Sequence, residues 1–258
     1  MIKSRVHSAL FYLGVVLIWQ LVYFVGVDLL GQWKSYAFPN PVGVLESMVR
    51  LAGTGTLLPA VLYSLKRALI GFCMAFLLGV PMGILVSNSV YLNKNLKPLL
   101  MGVQSLPSIC WVPFAILWFG LKENAIIFVV VMGTVGSIAL AIEDAIRGIP
   151  PIYIKAAKTM GADKKALMIH VILPAALPAF IAGLRQSWSF AWRALMAGEI
   201  LSSCVGLGYI LMMGRDLADI NQVMAVMVVI IVVGILVDRF VFSSILGRMR
   251  IKRGLSQS

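Results

Sequence analysis

The chain has 258 residues, 60% of them hydrophobic and only 12% charged, with 22 Lys+Arg against 10 Asp+Glu and a formal net charge of +12. Soluble domains carry about 25% charged residues, so this composition, with a mean hydropathy of +0.96, excludes an ordinary soluble domain and points to a chain that crosses a membrane several times. The basic excess then belongs on cytoplasmic loops, and not on a nucleic-acid-binding surface.

A span needs about 20 mostly apolar residues. Taken in chain order, the first candidate is 9–27, preceded by Lys3 and Arg5. It is long enough to cross, and no small-residue cleavage site clearly follows, so a retained first helix is expected rather than a signal peptide. A stretch with Pro39, Pro41, Gly53, Gly55 and Pro59 comes next. Its middle, PVGVLESMVRL, has helical periodicity and is expected to lie along the membrane surface. Further spans are predicted at 68–86, 96–119, 125–142, 180–201 and 222–242, so that 1–258 forms a single transmembrane domain. Within the second span Gly79 and Gly83 have the small-xxx-small spacing of closely packed helices.

Orientation follows from the basic residues. With both termini inside, the cytoplasmic segments hold Lys3, Arg5, Lys94, Lys97, Arg147, Lys155, Lys158, Lys164, Lys165, Arg248, Arg250, Lys252 and Arg253, against Lys34, Arg50, Lys122 and Arg215 outside. That bias sets both termini in the cytoplasm. Lys66 and Arg67 fit less well, since they fall at the outer end of the second span; snorkelling to headgroups is the expected explanation.

Catalytic and metal signatures are missing. The sequence has no G-x-x-x-x-G-K-[ST] loop, no H-E-x-x-H and no G-x-S-x-G elbow. Only His7 and His170 are available for histidine chemistry, and Cys73, Cys110 and Cys204 sit in apolar runs without paired spacing. No enzyme, and neither metal nor cofactor in this chain, is expected.

The fifth span carries the least membrane-like residues: Arg185, Trp188, Trp192, Arg193 and Glu199. At 100° per residue, Arg185, Trp188, Trp192, Met196 and Glu199 share one narrow arc, and ionisable residues within spans usually face a bundle interior or a water-filled cavity. This arc is the expected lining of a translocation path; the alternative puts Arg185 and Glu199 near opposite membrane faces with the tryptophans in interfacial belts. The third span repeats the spacing with Gln104, Ser108, Trp111 and Trp118, but Pro107 and Pro113 interrupt it. A break there suits a cavity lining as well as packed protein.

Between the fourth and fifth spans runs KAAKTMGADKKALMIHVILPAALP. Ile152–Met160 reads as a helix, Gly161 as its left-handed terminator, and Asp163 as the cap of a second helix from Lys164 to Leu173, where Pro174 interrupts it. Ala156 and Ala157 leave a bare surface that another backbone could approach. Spacing alone leaves a lysine-rich surface loop as an equal alternative.

This stretch resembles the cytoplasmic signature loop of ABC-importer permeases, E-A-A, three residues, G, nine residues, I-x-L-P. Ala156, Ala157, Gly161, Val171, Leu173 and Pro174 fall in register, while Lys155 stands at the family's acidic position. FPNPVGVLESM, SLKRALIGFCMAFLLGVPMGILV, LKPLLMGVQSLPSICWVPFAILWFG and GEILSSCVGLGYILMMGRDL are similar to the nitrate, sulfonate, taurine and bicarbonate branch of that family, over most of 38–246.

The resemblance implies an all-α membrane protein of six transmembrane helices, the permease of a type I ABC importer, with a cytoplasmic coupling helix. The implied coupling residues are Lys155, Ala156, Ala157, Gly161, Ala162, Asp163, Leu173 and Pro174; the candidate path residues are Gln104, Trp111, Arg185, Trp188, Trp192 and Glu199. Implied partners are two ATPase subunits that bind ATP and magnesium, a second permease copy, and an extracytoplasmic binding protein. A stand-alone channel or secondary transporter is the rival reading, but no inverted repeat and no buried carboxylate pair is evident.

Overall fold

The computed structural model describes residues 2–34 and 36–252; Arg253, counted above for orientation, lies outside them. Among the described residues there are helices and no strands. The helices are α1, Ile2–Tyr23; α2, Pro41–Gly53; α3, Leu57–Asn88; α4, Val90–Ser105; α5, Val112–Phe119; and α6, Glu123–Arg147. After them come α7, Pro151–Thr159; α8, Lys164–Ile200; α9, Leu207–Asp216; and α10, Ile220–Gly247. Among the described residues five helices are long and apolar enough to cross a membrane, or six if α4 and α5 count as one broken span.

The chain divides into two compact units, 1–63 with 205–232, and 64–204 with 233–258. In the first, Asn40 caps α2 by accepting from Val42 N at 3.0 Å, and its own N–H donates to Asn221 Oδ1 at 2.8 Å. Gly43 leaves room for that amide: a Cβ there would stand 2.5 Å from Asn221 Nδ2. Arg50 pairs with Asp219 at 2.6 Å, and Gln222, itself buried, donates to Ile210 O at 3.2 Å. The helix expected around PVGVLESMVRL is α2, tied by polar side chains to Asp219 and the start of α10. Helix α9 was not expected from the sequence, because its ten residues are too short to stand out between two apolar blocks.

The Asp219 carboxyl is drawn upward by burial, but the Arg50 guanidinium and the Gln222 and Asn221 backbone N–H groups outweigh that and hold it below the ordinary 3.8. A depressed folded-state value stabilises the fold above the unfolded value and is lost as pH falls through the folded one. The Arg50–Asp219 tie should therefore loosen on acidification from pH 3.8 downward. Asp219→Asn should lower stability at neutral pH and flatten this acid limb of a thermal-melting profile, so that the variant and the wild type converge at the acid end.

In the second unit, α6 is the central element. It runs antiparallel to α8, with small residues allowing close approach: a Cβ on Gly183 would lie 2.5 Å from Ala141 Cβ, and one on Gly133 2.9 Å from Ala194 Cβ. Between these points Ser137 and Ser187 hydrogen-bond at 2.8 Å, both buried. Helix α3 packs on another side of α6 through the glycines singled out in the sequence. A Cβ on Gly79 would stand 2.9 Å from Val135 O, and one on Gly83 2.5 Å from Ala139 O. Because that contact is with backbone, no rotamer change relieves it. Gly83→Val should destabilise the fold by about 3 kcal/mol or more, measured as loss of monodisperse protein in detergent and a lowered melting temperature.

Several boundaries differ from expectation for identifiable reasons. Helix α3 starts at Leu57, well before the predicted 68, since helical hydrogen bonding continues past the apolar run. The third span is not one helix: α4 ends at Ser105, Leu106 and Pro107 are extended, a short 3₁₀ turn occupies Ser108–Trp111, and the two arms meet at 96°. Pro107 lacks the N–H that would continue α4, and the preceding residue is pushed out of the helical region. Pro174, by contrast, does not stop the second helix of the signature loop. Residues Leu167–Ile172 widen into a π turn, His170 Nδ1 stands 3.2 Å from Ala166 O, and the helix continues through Pro174 to Ile200.

Candidate functional site

The signature loop folds as its sequence suggests. Helix α7 ends in a Schellman motif: Ala162 N donates to Ala157 O and Gly161 N to Lys158 O, both at 3.0 Å, with Gly161 at φ +80°. That conformation is open to glycine at little cost. Asp163 Oδ1 then caps α8 by accepting from Ala166 N at 2.7 Å. Around this turn the surface is unusual. Met160 is 88% exposed, Ile152 and Tyr153 are also exposed, and Lys155, Lys158, Lys164 and Lys165 surround them.

The inner side of α7 and the first turns of α8 bound a cleft of about 630 Å³, onto which Ala156, Ala157 and Pro174 open. Leu173 is 59% exposed and lies outside that cleft. Ala145, Ile149 and Ala176 form the buried base, anchoring the element on α6.

The proposed path residues separate into groups. On α8, Trp188 and Trp192 are buried; Trp188 stacks edge-on against Phe72 at 5.3 Å between ring centroids. Glu199 is wholly enclosed: Ser64 Oγ donates to its carboxylate at 2.8 Å and Arg67 Nη1 at 2.9 Å. The same guanidinium reaches Glu123 at 2.8 Å, so α3, α6 and α8 are joined at one end by a single arginine that is 2% exposed. This overturns snorkelling as the account of Arg67, because two carboxylates hold the charge inside the unit. Lys66 is exposed.

Arg185 is exposed, but both prongs of its guanidinium bond the Asp238 carboxylate. The open face of α8 is instead Gln186, Ser189 and Arg193, with Arg185 at its edge. That face is turned by about 90° from the arc read in the sequence, at 100° per residue. Helical periodicity locates polar residues around the axis, but it does not tell a water-facing charge from one neutralised by a partner far along the chain.

Gln104 is half-buried beside the α4–α5 break. Trp111 packs against Phe114 and Phe128, with ring centroids 6.2 and 6.4 Å away. A cavity of about 300 Å³ opens at the break, lined by Gln104, Ser105, Ser108, Gly133, Phe190 and Arg193 among others. A second, of about 330 Å³, lies between α8 and α10, with Trp188, Ser189, Trp192, Arg193 and Asp238 in its wall. The structure thus brings Gln104 and Arg193 together, and keeps Glu199 apart from both cavities. Arg67, Glu123 and Ser64 were not identified from the sequence. Two carboxylates facing one in-span arginine were the only signal, and they are 56 and 132 residues away.

A helical bundle with one broken span and a helix–glycine–helix element projecting from it is the fold of an ABC-importer permease. It is shared with the permease chain in inward-facing structures of the MetNI methionine ABC transporter. One covers 74% of this chain and 94% of that one, at a TM-score of 0.62 and 22% identity. Another gives a TM-score of 0.63 at 21% identity, covering 77% and 98%.

Residues 75–248 match the binding-protein-dependent transport system inner membrane components, and the chain belongs to that family, as the membrane permease of an ABC importer. Among its relatives is an ABC transporter permease of Methanocaldococcus jannaschii, 34% identical over 73% of this chain and 71% of that protein. A Bacillus subtilis permease named for aliphatic sulfonate transport is 31% identical over 88% and 80%. A bicarbonate transport permease of Synechococcus elongatus is 34% identical over 69% and 64%.

Proposed function

We propose that this permease carries a small solute inward by alternating access, driven by two ATPase subunits that dock on the α7–Gly161–α8 element. The carrying observation is continuity: the second arm of the exposed element and the helix presenting the open polar face are one helix, Lys164–Ile200. Lys155, Ala156, Ala157, Gly161, Ala162, Asp163, Leu173 and Pro174 form the docking element, and ATP and magnesium are bound by the ATPases. This chain does no covalent chemistry; its part is a path whose exposure differs between two states.

The basic residues put both termini and the docking element in the cytoplasm. Helix α8 then runs outward, and the Arg67–Glu123–Glu199 cluster sits at the outer ends of three spans. In-span charges face water or protein rather than lipid, so the Gln186–Ser189–Arg193 face supports a second copy across the path, with Gln104 and the α4–α5 break in its wall. The solute is an anion of the kind for which relatives are named, a sulfonate or bicarbonate, or an aromatic heterocycle, handed over by an extracytoplasmic binding protein.

The test is co-expression with the candidate ATPase, purification in detergent, and uptake by proteoliposomes with the binding protein added. The expected result is a stable complex whose uptake requires ATP. Transport by the purified chain alone would establish a stand-alone transporter instead.

A further inference from the structure

We infer that the cavity at the α4–α5 break is the solute site, that it takes a singly charged oxyanion, and that Arg193 is the residue that selects for it. This deepens, and rests on, the reading that the open face of α8 lines the path. Two in-span arginines on α8 look equivalent in the sequence, and the structure separates them. Arg185 is closed in a two-pronged pair with Asp238, so its charge is cancelled where it stands.

Arg193 makes one hydrogen bond, from Nε to Ser189 O at 3.1 Å, and its guanidinium carbon lies 4.7 Å from the centroid of the Phe190 ring. Among the described residues no carboxylate pairs with it. Phe190 and Ser189 hold the guanidinium through its Nε and its face, and leave its two terminal nitrogens available as a fork. Such a fork matches the two oxygens of a carboxylate, sulfonate, nitrate or bicarbonate.

The rest of the wall fits that chemistry. Arg193 is the one charged residue lining the cavity, Gln104 and Ser108 offer neutral hydrogen-bonding groups, and Phe190 and Ile109 offer apolar surface for a short organic body. About 300 Å³ is the lower end of ligand-pocket sizes, roughly 300–1,000 Å³, which suits a small anion with a few waters. Gly133 in the floor lies about 15 Å from the Glu123 end of α6 and about 21 Å from the Arg147 end, at 1.5 Å per residue. At that depth each unpaired charge is expensive. Within each protomer's cavity one guanidinium compensates one negative charge, and a dianion bound there would bring an uncompensated one.

The experiment uses the complete transporter, this chain with its ATPase and binding protein, in proteoliposomes. Uptake is measured for the monoanions nitrate, bicarbonate, ethanesulfonate and benzoate, the dianion sulfate, and the neutral isostere ethanesulfonamide. At least one monoanion should be taken up, and neither sulfate nor the sulfonamide. Arg193→Gln should lower that uptake at least tenfold, and Arg193→Lys should restore part of it with a raised half-saturation concentration.

A second readout avoids dependence on the folding of Arg193→Gln. In a chain that keeps Arg193 and carries Cys73, Cys110 and Cys204 replaced by alanine, Ser108→Cys should react with a thiol reagent more slowly when the transported monoanion is present. Uptake of the sulfonamide at the rate of ethanesulfonate, uptake of none of the monoanions, or unslowed labelling of Ser108→Cys would overturn the assignment while ATP-driven transport itself stood. Uptake that does not require ATP would instead remove the permease reading on which it rests.

Discussion

Arg67→Ala should be the most damaging single substitution within the spans, lowering stability by about 3–5 kcal/mol. Removing the guanidinium leaves Glu199, wholly buried, facing the gap, and deprives Glu123 of its partner on α3. The expected readout is a sharp fall in the melting temperature of the detergent-solubilised protein, or its failure to accumulate. Glu199→Ala should cost less, because Glu123 still pairs the arginine at 2.8 Å. The double variant Arg67→Met with Glu199→Leu should recover much of the loss, since replacing a buried ion pair by apolar side chains of similar volume is often neutral or favourable. A double variant as unstable as Arg67→Ala would show that Glu123 and Ser64 carry the contact instead.

Gly161→Pro should abolish ATP-driven uptake while leaving the spans folded. Two effects combine at this residue. Proline is locked near φ −65° where the chain needs +80°, and it lacks the N–H that donates to Lys158 O. Gly161→Ala separates conformation from space: no atom lies within 4 Å of where its Cβ would stand, so its cost is that of a left-handed alanine, about 1–2 kcal/mol. Uptake should fall steeply in the proline variant and modestly in the alanine one, with both proteins giving the same far-ultraviolet circular dichroism. Equal uptake in all three would show that the helix–turn–helix geometry does not transmit the power stroke.

The parts of the molecule that were legible in the sequence are those fixed by local chemistry. Gly161 and Asp163 name their own conformations through φ and through capping, and Gly79 and Gly83 mark the seam between α3 and α6 because nothing larger fits. The parts that were not legible depend on residues distant in the chain. Arg67 reads as a misplaced surface charge until Glu199 and Glu123 are brought to it, and Arg185 reads as an anion site until Asp238 cancels it. Pro174 read as a stop because an ideal α-helix cannot pass it; the local widening at Leu167–Ile172 is a backbone adjustment with no residue signature of its own.

The single helix from Lys164 to Ile200 has a mechanical consequence. At 1.5 Å per residue its 37 residues make a rod of about 55 Å. No loop interrupts it, and the π turn at Leu167–Ile172 and Pro178 are the points where it can bend. A tilt of about 5° at the docking end displaces the Glu199 end by about 5 Å over that length. That exceeds the reach of a hydrogen bond. If ATPases dock on the α7–Gly161–α8 element as proposed, a small pivot at the Lys164 end would be enough to strain the Arg67–Glu199 pair at the other end.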